Sequence, residues 1–495
     1  MKTVLISMPD VAAVIMHEAA FHMPNLGIAS LAGNVDATHE VYLIDLIRKR
    51  GKVRRYLNRT LTRIKPDVVA LTSMTWQIST CMKIVRLIKS LLPQCKIVIG
   101  GYHATLMYEE IANSGDGKNI DFIIRGEGEE AFRRLLDALS GTGSLEDIPG
   151  LSHRQDGYFI HNPRGELLDL ATLELPVRDR RRLTWGYHVM NRSVEVIETS
   201  RGCTRNCNFC SIRHMYGRAF RPFPVERILA DIDDIYHRRK CRWIFVSDDN
   251  MVLSVKRVFE LCQAIIDQGY RDLNFIVQAD CVTMSKNEEM VRIMAQAGFK
   301  SVFLGIENVS KKNLAAAQKG DIVTASRKAV ELCHKYGIMV VGGMIFGFPD
   351  DTEEEIIANY RFLQSIGVDS PYCQILTPYP KTGIRQQLLE AGLVVNADDF
   401  STYNGIWANV RTRHLDADQL QYLVWYHRQK ILGWWEPSKQ MRDQGHLWTA
   451  IWIYLMRPII RRILERKTKR GGWRHRYDQA MNRLRTVNRF DDLGS

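Results

Sequence analysis

The residues of this chain best placed to do chemistry are the three cysteines of Cys203-Thr-Arg-Asn-Cys207-Asn-Phe-Cys210. Gaps of three and two residues let one short loop wrap its thiolates around three irons of a four-iron four-sulfur cubane. The fourth iron is then left without a protein ligand, and an open metal position is what inner-sphere chemistry on a substrate or cofactor needs. Zinc is the alternative, because Cys210-Ser-Ile-Arg-His214 supplies a histidine at a plausible distance for a three-cysteine, one-histidine site. Structural zinc usually sits in small modules, so the elements around the loop decide between the two. The other seven cysteines, at 81, 95, 241, 262, 281, 333 and 373, are scattered singly among apolar residues and read as reduced core thiols.

Two α/β series supply those elements. In the first, Val4–Met8, Val41–Ile44, Val68–Leu71, Ile97–Ile99 and Phe122–Ile124 are short apolar runs that read as buried parallel strands. Helical spacing, as in Met82 to Leu92, separates them. This pattern predicts a doubly wound, Rossmann-like α/β domain over residues 1–143. Ligands of such sheets bind beyond the carboxyl ends of the strands, which here carry Thr72-Ser73, Gly100-Gly101 and Gly126-Glu127-Gly128. Glycine there admits close approach to the backbone, although each pair also reads as an ordinary tight turn. Residues 144–192, with Pro149, Gly150, Pro163, Gly165 and Pro176, form a connecting segment with a hairpin at Gln155-Asp-Gly157.

The second series, residues 193–392, has strands at Val194–Thr199, Trp243–Val246, Asn274–Gln278, Ser301–Ile306, Met339–Ile345 and Tyr372–Thr377. Six strand and helix units predict an incomplete TIM-like (β/α)6 barrel whose site lies at the carboxyl ends of its strands. The cysteines follow its first strand directly, and that context disfavours zinc. From 393 to 495 the strands give way to helical patterns rich in aromatics. Leu447 to Met456 is too short to span a bilayer, which needs about 20 residues. It suits an interfacial helix or one packed on the barrel.

The N-terminal Met-Lys-Thr-Val-Leu-Ile-Ser is too short an apolar run for a secretory signal, so the reading is cytoplasmic, with peripheral contact at the inner face of a membrane as an option. Of the net charge of +13, the stretch Arg457 to Arg489 carries twelve Lys or Arg against Glu465 and Asp478. On that count the charge belongs to a tail and the rest is near neutral. No nucleic-acid groove is expected.

The Cys-x-x-x-Cys-x-Φ-Cys pattern, with Phe209 as its aromatic residue and six β/α units behind it, resembles the radical S-adenosylmethionine superfamily over roughly residues 190 to 390. The resemblance implies a 4Fe-4S cluster on Cys203, Cys207 and Cys210, with S-adenosylmethionine chelating the fourth iron. Reductive cleavage then yields a 5'-deoxyadenosyl radical that abstracts hydrogen from carbon. It also implies a one-electron donor such as flavodoxin or ferredoxin. By the same resemblance Phe209, Asp248, Asp249, Gln278, Glu307, Gly343, Ile345 and Gly347 are the S-adenosylmethionine-binding candidates. Each polar one among them could equally be a helix cap.

An α/β domain ahead of such a barrel is similar to the cobalamin-binding group, which includes carbon methylases, hopanoid methylases and the anaerobic oxidative cyclase of bacteriochlorophyll synthesis. Gly100-Gly101-Tyr-His103-Ala-Thr105, Arg125-Gly-Glu-Gly-Glu129 and Thr377-Pro-Tyr-Pro380 look like its recurring loops. Relatives continue the last with Gly-Thr, where this chain has Lys381-Thr382. The resemblance makes Thr72, Ser73, Gly100, Gly101, Gly126, Glu127 and Gly128 the cobalamin-binding candidates. The Asp-x-His-x-x-Gly motif is absent: Asp45-Leu-Ile47-Arg-Lys-Arg50 has no histidine to offer cobalt. His103 and His214 read first as ordinary buried histidines. Expected is a methyltransferase acting on an unactivated carbon of a hydrophobic small molecule, a lipid or tetrapyrrole, with oxidative cyclisation as the alternative. Methylthiolation needs three further cysteines in the N-terminal domain, which has only Cys81 and Cys95.

Overall fold

The computed structural model describes residues 1–11, 21–189, 192–432 and 472–494. The five N-terminal apolar runs form parallel strands, Lys2–Ser7, Glu40–Asp45, Val68–Thr72, Lys96–Gly100 and Phe122–Ile124. Their order across the sheet is second, first, third, fourth, fifth, the doubly wound arrangement. Both faces are covered. Helices Val53–Ile64 and Ile78–Leu91 bury Leu57, Leu61, Ile84 and Ile88 on one side, while Leu26–Gly33 and Glu129–Leu139 bury Ile28, Phe132 and Leu135 on the other.

The hairpin at Gln155-Asp-Gly157 is present, with Asp156 at φ 50° and Gly157 at φ 88°. Two successive positive φ values match the twist of the paired strands. Its first strand, Leu151–Gln155, lies antiparallel to Phe122–Ile124 and carries the N-terminal sheet past residue 143 to seven strands. Further along the connecting segment, Arg178 is fully buried on Asp231 and the Val196 carbonyl, and Arg181 forks onto both oxygens of Glu195 at 2.7 and 2.9 Å. The segment is thereby riveted to the barrel.

Six parallel strands follow in sequence order: Arg192–Ile197, Trp243–Val246, Asn274–Asp280, Phe299–Glu307, Met339–Phe346 and Ser370–Ile375. They form the incomplete barrel. Some strands run one or two residues past the apolar runs, because polar residues such as Asp280 continue the ladder. Ile244, Val246, Phe275 and Val277 face the outer helices. Trp243, Phe245, Ile276 and Phe303 alternate with such positions and are half-buried.

Helices at Ala417–His427 and 472–487 realise the expected C-terminal pattern, but 393–416 runs mostly in turns with one isolated bridge, Val394 to Val410. The aromatic run 447–456 and the basic stretch 457–471 lie outside the described residues. The remainder of the tail is packed. Trp473 and Tyr477 meet Trp425 edge-on, Arg474 lies over Tyr422 and Tyr477, and Phe490 and Leu493 enter the N-terminal core. Asn488 grips the backbone of Val11, accepting from its N–H at 3.0 Å and donating to its carbonyl at 2.9 Å. Among the described residues no helix is long and apolar enough to cross a membrane.

Candidate active site

The cysteine loop starts where the first barrel strand ends. Ser200–Arg201 pairs antiparallel with Arg221–Pro222, and Gly202 then turns at φ 83°, where a Cβ would lie 2.2 Å from the Ala219 carbonyl. Only glycine permits that turn. Asn208 anchors the far side of the loop: its N–H donates to the Ala317 carbonyl at 3.0 Å and its side-chain amide to Gln387 at 3.1 Å. Gly383 makes room for it, since a Cβ there would sit 1.9 Å from Asn208 Oδ1.

Cys203, Cys207 and Cys210 line a cavity of about 450 Å³ with Phe209, Asp249, Gln278 and Glu307. Among the described residues no three metal-binding side chains converge on one ion-sized point. His214 does not line the cavity, so the three-cysteine, one-histidine zinc set is not assembled. Cys281 does line it, but its thiol donates to the Gly305 carbonyl. Burial pushes the three thiols up, Cys210 to about 12, so they need the charge of bound iron to ionise. Three soft donors around a space larger than one ion suit a cubane with one open iron.

Asp249 accepts from the Gly202 N–H at 3.0 Å, and burial raises its carboxyl to about 6. Gln278 donates to the Asp248 carbonyl at 3.3 Å. Glu307, at φ 63°, accepts from Lys319 Nζ at 2.9 Å. Four candidates are not brought to this wall. The Asp248 carboxylate is fully engaged behind the loop, accepting from Thr199 N and Oγ1, each at 2.6 Å, and from Ser200 Oγ. Gly343 makes room for Phe303, whose ring carbon would lie 2.6 Å from a Cβ there. Ile345 belongs to the outer core, and the Gly347 N–H is taken by Asp351 at 2.7 Å.

Sequence reasoning missed Lys319, Arg205 and Asp280, which line the cavity together with Asn250, the residue after the Asp248-Asp249 pair. Asp280 gathers Arg205 at 2.9 Å and Asn250 at 3.0 Å. Lys319 lies in the short link between helices Lys311–Ala316 and Val323–Lys335, beside Gln318 at φ 53°, away from any strand end.

A second cavity, of about 230 Å³, is lined by Thr72, Gly100, Gly101, Gly126, Glu127 and Gly128. Ser73 is buried beside it. Gly101 adopts φ 94°, and a Cβ there would meet Thr72 Oγ1 at 2.6 Å and the Ser73 carbonyl at 2.9 Å. Helices Leu26–Gly33 and Glu129–Leu139 wall one side, and Glu198, Arg201, Met215 and Tyr216 of the barrel close the other. The glycine cradle fits a slender arm of a corrinoid rather than its ring. The Glu127 carboxylate faces away from such a role, held by Arg201 and Arg221, each at 2.8 Å, and by the Leu168 N–H at 3.0 Å.

His103 is buried edge-on to Phe400 at 5.0 Å, burial lowers its imidazole to about 4, and it lines neither cavity. Lys381 stands at φ 63°, the backbone conformation that the glycine of related loops favours. The turn is therefore kept despite the changed residue.

Thiols around an open-iron space at a barrel mouth, beside a glycine cradle on a doubly wound sheet, define a radical enzyme with a second, corrinoid-type site. Residues 12–136 match the B12 binding domain, and residues 197–363 match the Radical SAM superfamily. The chain thus joins a B12-binding domain to a radical S-adenosylmethionine domain, and the cofactors of that pairing are a 4Fe-4S cluster, S-adenosylmethionine and cobalamin. An uncharacterized methyltransferase of Pyrococcus horikoshii is 28% identical over 87% of this chain and 93% of its own length. The anaerobic magnesium-protoporphyrin IX monomethyl ester cyclase of Rubrivivax gelatinosus is 24% identical over 81% and 72%, and the hopanoid C-3 methylase of Methylococcus capsulatus 28% over 68% and 64%. Among solved structures, the radical S-adenosylmethionine methyltransferase TsrM of Kitasatospora setae aligns with a TM-score of 0.65 and 18% identity, over 80% of this chain and 76% of that one. That likeness concerns the fold.

Proposed function

We propose that the protein methylates an unactivated carbon of a hydrophobic small molecule, a lipid or a tetrapyrrole. The observation that carries this reading is the adjacency of the two cavities: Arg201 lines the glycine cradle, and Cys203, two residues on, lines the cysteine cavity. When bound, the cluster with S-adenosylmethionine supplies a carbon-centred radical, and cobalamin supplies the methyl group.

The chain's own residues do the rest. Cys203, Cys207 and Cys210 hold the cluster, and Asp249, Gln278 and Glu307 orient S-adenosylmethionine over it. Thr72, Gly100, Gly101, Gly126 and Gly128 admit the corrinoid arm. Phe303, in the cysteine cavity, and Tyr372, whose ring meets it edge-on at 5.3 Å, offer an apolar wall to the substrate. Half-buried thiols and aromatic rings limit the access of water that would otherwise quench a carbon radical. A relative named for a cyclase favours a second reading, oxidative ring closure of a tetrapyrrole after the same first step. Either outcome calls for a one-electron donor such as flavodoxin or ferredoxin.

The test supplies reconstituted enzyme, reductant and methyl-labelled S-adenosylmethionine to a cell lipid and pigment extract. Label in a lipid or pigment is the expected result. Deoxyadenosine without labelled product supports the cyclase reading, and neither product overturns both. Cys207→Ala is the control: it abolishes deoxyadenosine formation and keeps the cobalamin absorbance.

A further inference from the structure

The positive charge is not confined to the tail. Between Leu46 and Lys65 stand nine Lys or Arg and no Asp or Glu. Lys52, Arg54, Arg55, Arg59, Arg63 and Lys65 are exposed, and none of their side chains makes an ion pair among the described residues. Arg55, Arg59 and Arg63 follow one another at intervals of four along helix Val53–Ile64, a straight row of about 12 Å. Like charges at this spacing repel and weaken a helix, whereas a merely solvated face gains by alternating sign. The row is stabilised only when something anionic covers it. An acid at its edge, Asp492, accepts from the backbone N–H of Arg54 at 2.9 Å and leaves the guanidinium row uncovered.

We propose that this helix, with the preceding turn, is the face by which the protein settles on an anionic lipid bilayer. The apolar stripe of the helix, Val53, Leu57, Leu61 and Ile64, is already buried in the N-terminal core. Contact is therefore electrostatic and reversible, without insertion of apolar side chains, unlike that of an interfacial helix. None of these residues lines the cysteine cavity or the glycine cradle, which argues against the face as an electron entry. The choice of a bilayer over an acidic protein rests on the hydrophobic-substrate reading above, since such a substrate is concentrated in membranes.

Flotation of the full-length holoprotein with vesicles tests it without using catalysis. Vesicles of phosphatidylcholine with about a third phosphatidylglycerol should carry the protein at low salt, and neutral phosphatidylcholine vesicles should not. Binding should fall steeply at 0.5 M salt, where the screening length is only about 4 Å. Each basic residue near an anionic surface is worth about fivefold in partition, so the combined Arg55→Glu, Arg59→Glu and Arg63→Glu variant should bind at least about a hundredfold more weakly. The matching Arg→Lys triple keeps charge and fold and should bind as the parent does. Unchanged flotation of the Glu triple overturns the proposal by placing the contact elsewhere. Absence of binding to anionic vesicles, or binding of an acidic protein or RNA instead, also overturns it. Loss of the methylation reading alone leaves the flotation result intact, so the two failures are distinguishable.

Discussion

Asp248 shows how a residue can matter to a metal loop without touching it. Its buried carboxylate ties down Thr199 and Ser200, three residues before the first cysteine. Asp248→Ala should cost about 3 kcal/mol, since charge-assisted bonds contribute about 1.5–3 kcal/mol each and their orphaned donors stay buried. Denaturation of the apoprotein and the iron content per chain check this; both should fall, whereas Asp249→Ala should spare stability. Lys381 carries backbone strain of about 1–2 kcal/mol at φ 63°. Lys381→Gly should raise the melting temperature, read by calorimetry. Asp10 is buried, bonded to Thr80 Oγ1 at 2.7 Å through one oxygen and without a partner on the other among the described residues, and burial raises its carboxyl to about 7. The native state thus keeps a proton that the unfolded chain gives up between about pH 4 and 7. Stability from this group is present below pH 4 and lost as pH rises through 7. Asp10→Asn, which cannot ionise, should match the parent near pH 4 and exceed it at pH 8 in urea denaturation.

At the scale of the element, the turn after Lys96–Gly100 is the most constrained piece of the corrinoid cradle. Gly101→Ala places a methyl against Thr72 and the Ser73 carbonyl at positive φ. Destabilisation of about 2 kcal/mol and weakened cobalamin uptake are expected, the second measured by absorbance titration. Much of the element layout was legible in the sequence, because buried strands of β-branched residues and amphipathic helices have distinct periods. The cysteine loop, Asp249, Gln278 and Glu307 were legible because they sit at the ends of those strands. Asp248 was not separable from Asp249 by that logic, since which of two adjacent carboxylates faces the cavity depends on the partners each finds. Gly343 and Gly347 read as ligand glycines, yet one makes room for a ring and the other holds a turn with its N–H spent on Asp351. Lys319 escaped because it comes from a connection rather than a strand end.

Across the whole molecule, Arg201 links the two domains and the two cavities. Its guanidinium reaches Glu127 at 2.8 Å and Glu129 at 2.6 Å in one domain and Glu198 at 2.9 Å in the other. Arg201→Ala leaves three carboxylates without their common partner and should cost about 3–5 kcal/mol. The urea transition of the parent should split into two, reported separately by N-terminal and barrel probes. Deleting residues 445–495 to test membrane contact would confound the answer, since Phe490 and Leu493 belong to the N-terminal core. Return of the chain to its N-terminal domain bears on synthesis. The ribosome releases the Rossmann-like domain before the barrel, yet Asn488, Phe490 and Leu493, which pack against it, emerge some 350 residues later. Burial of the patch beneath them is therefore completed only after the barrel has been made, and that domain is finished later than the one that follows it.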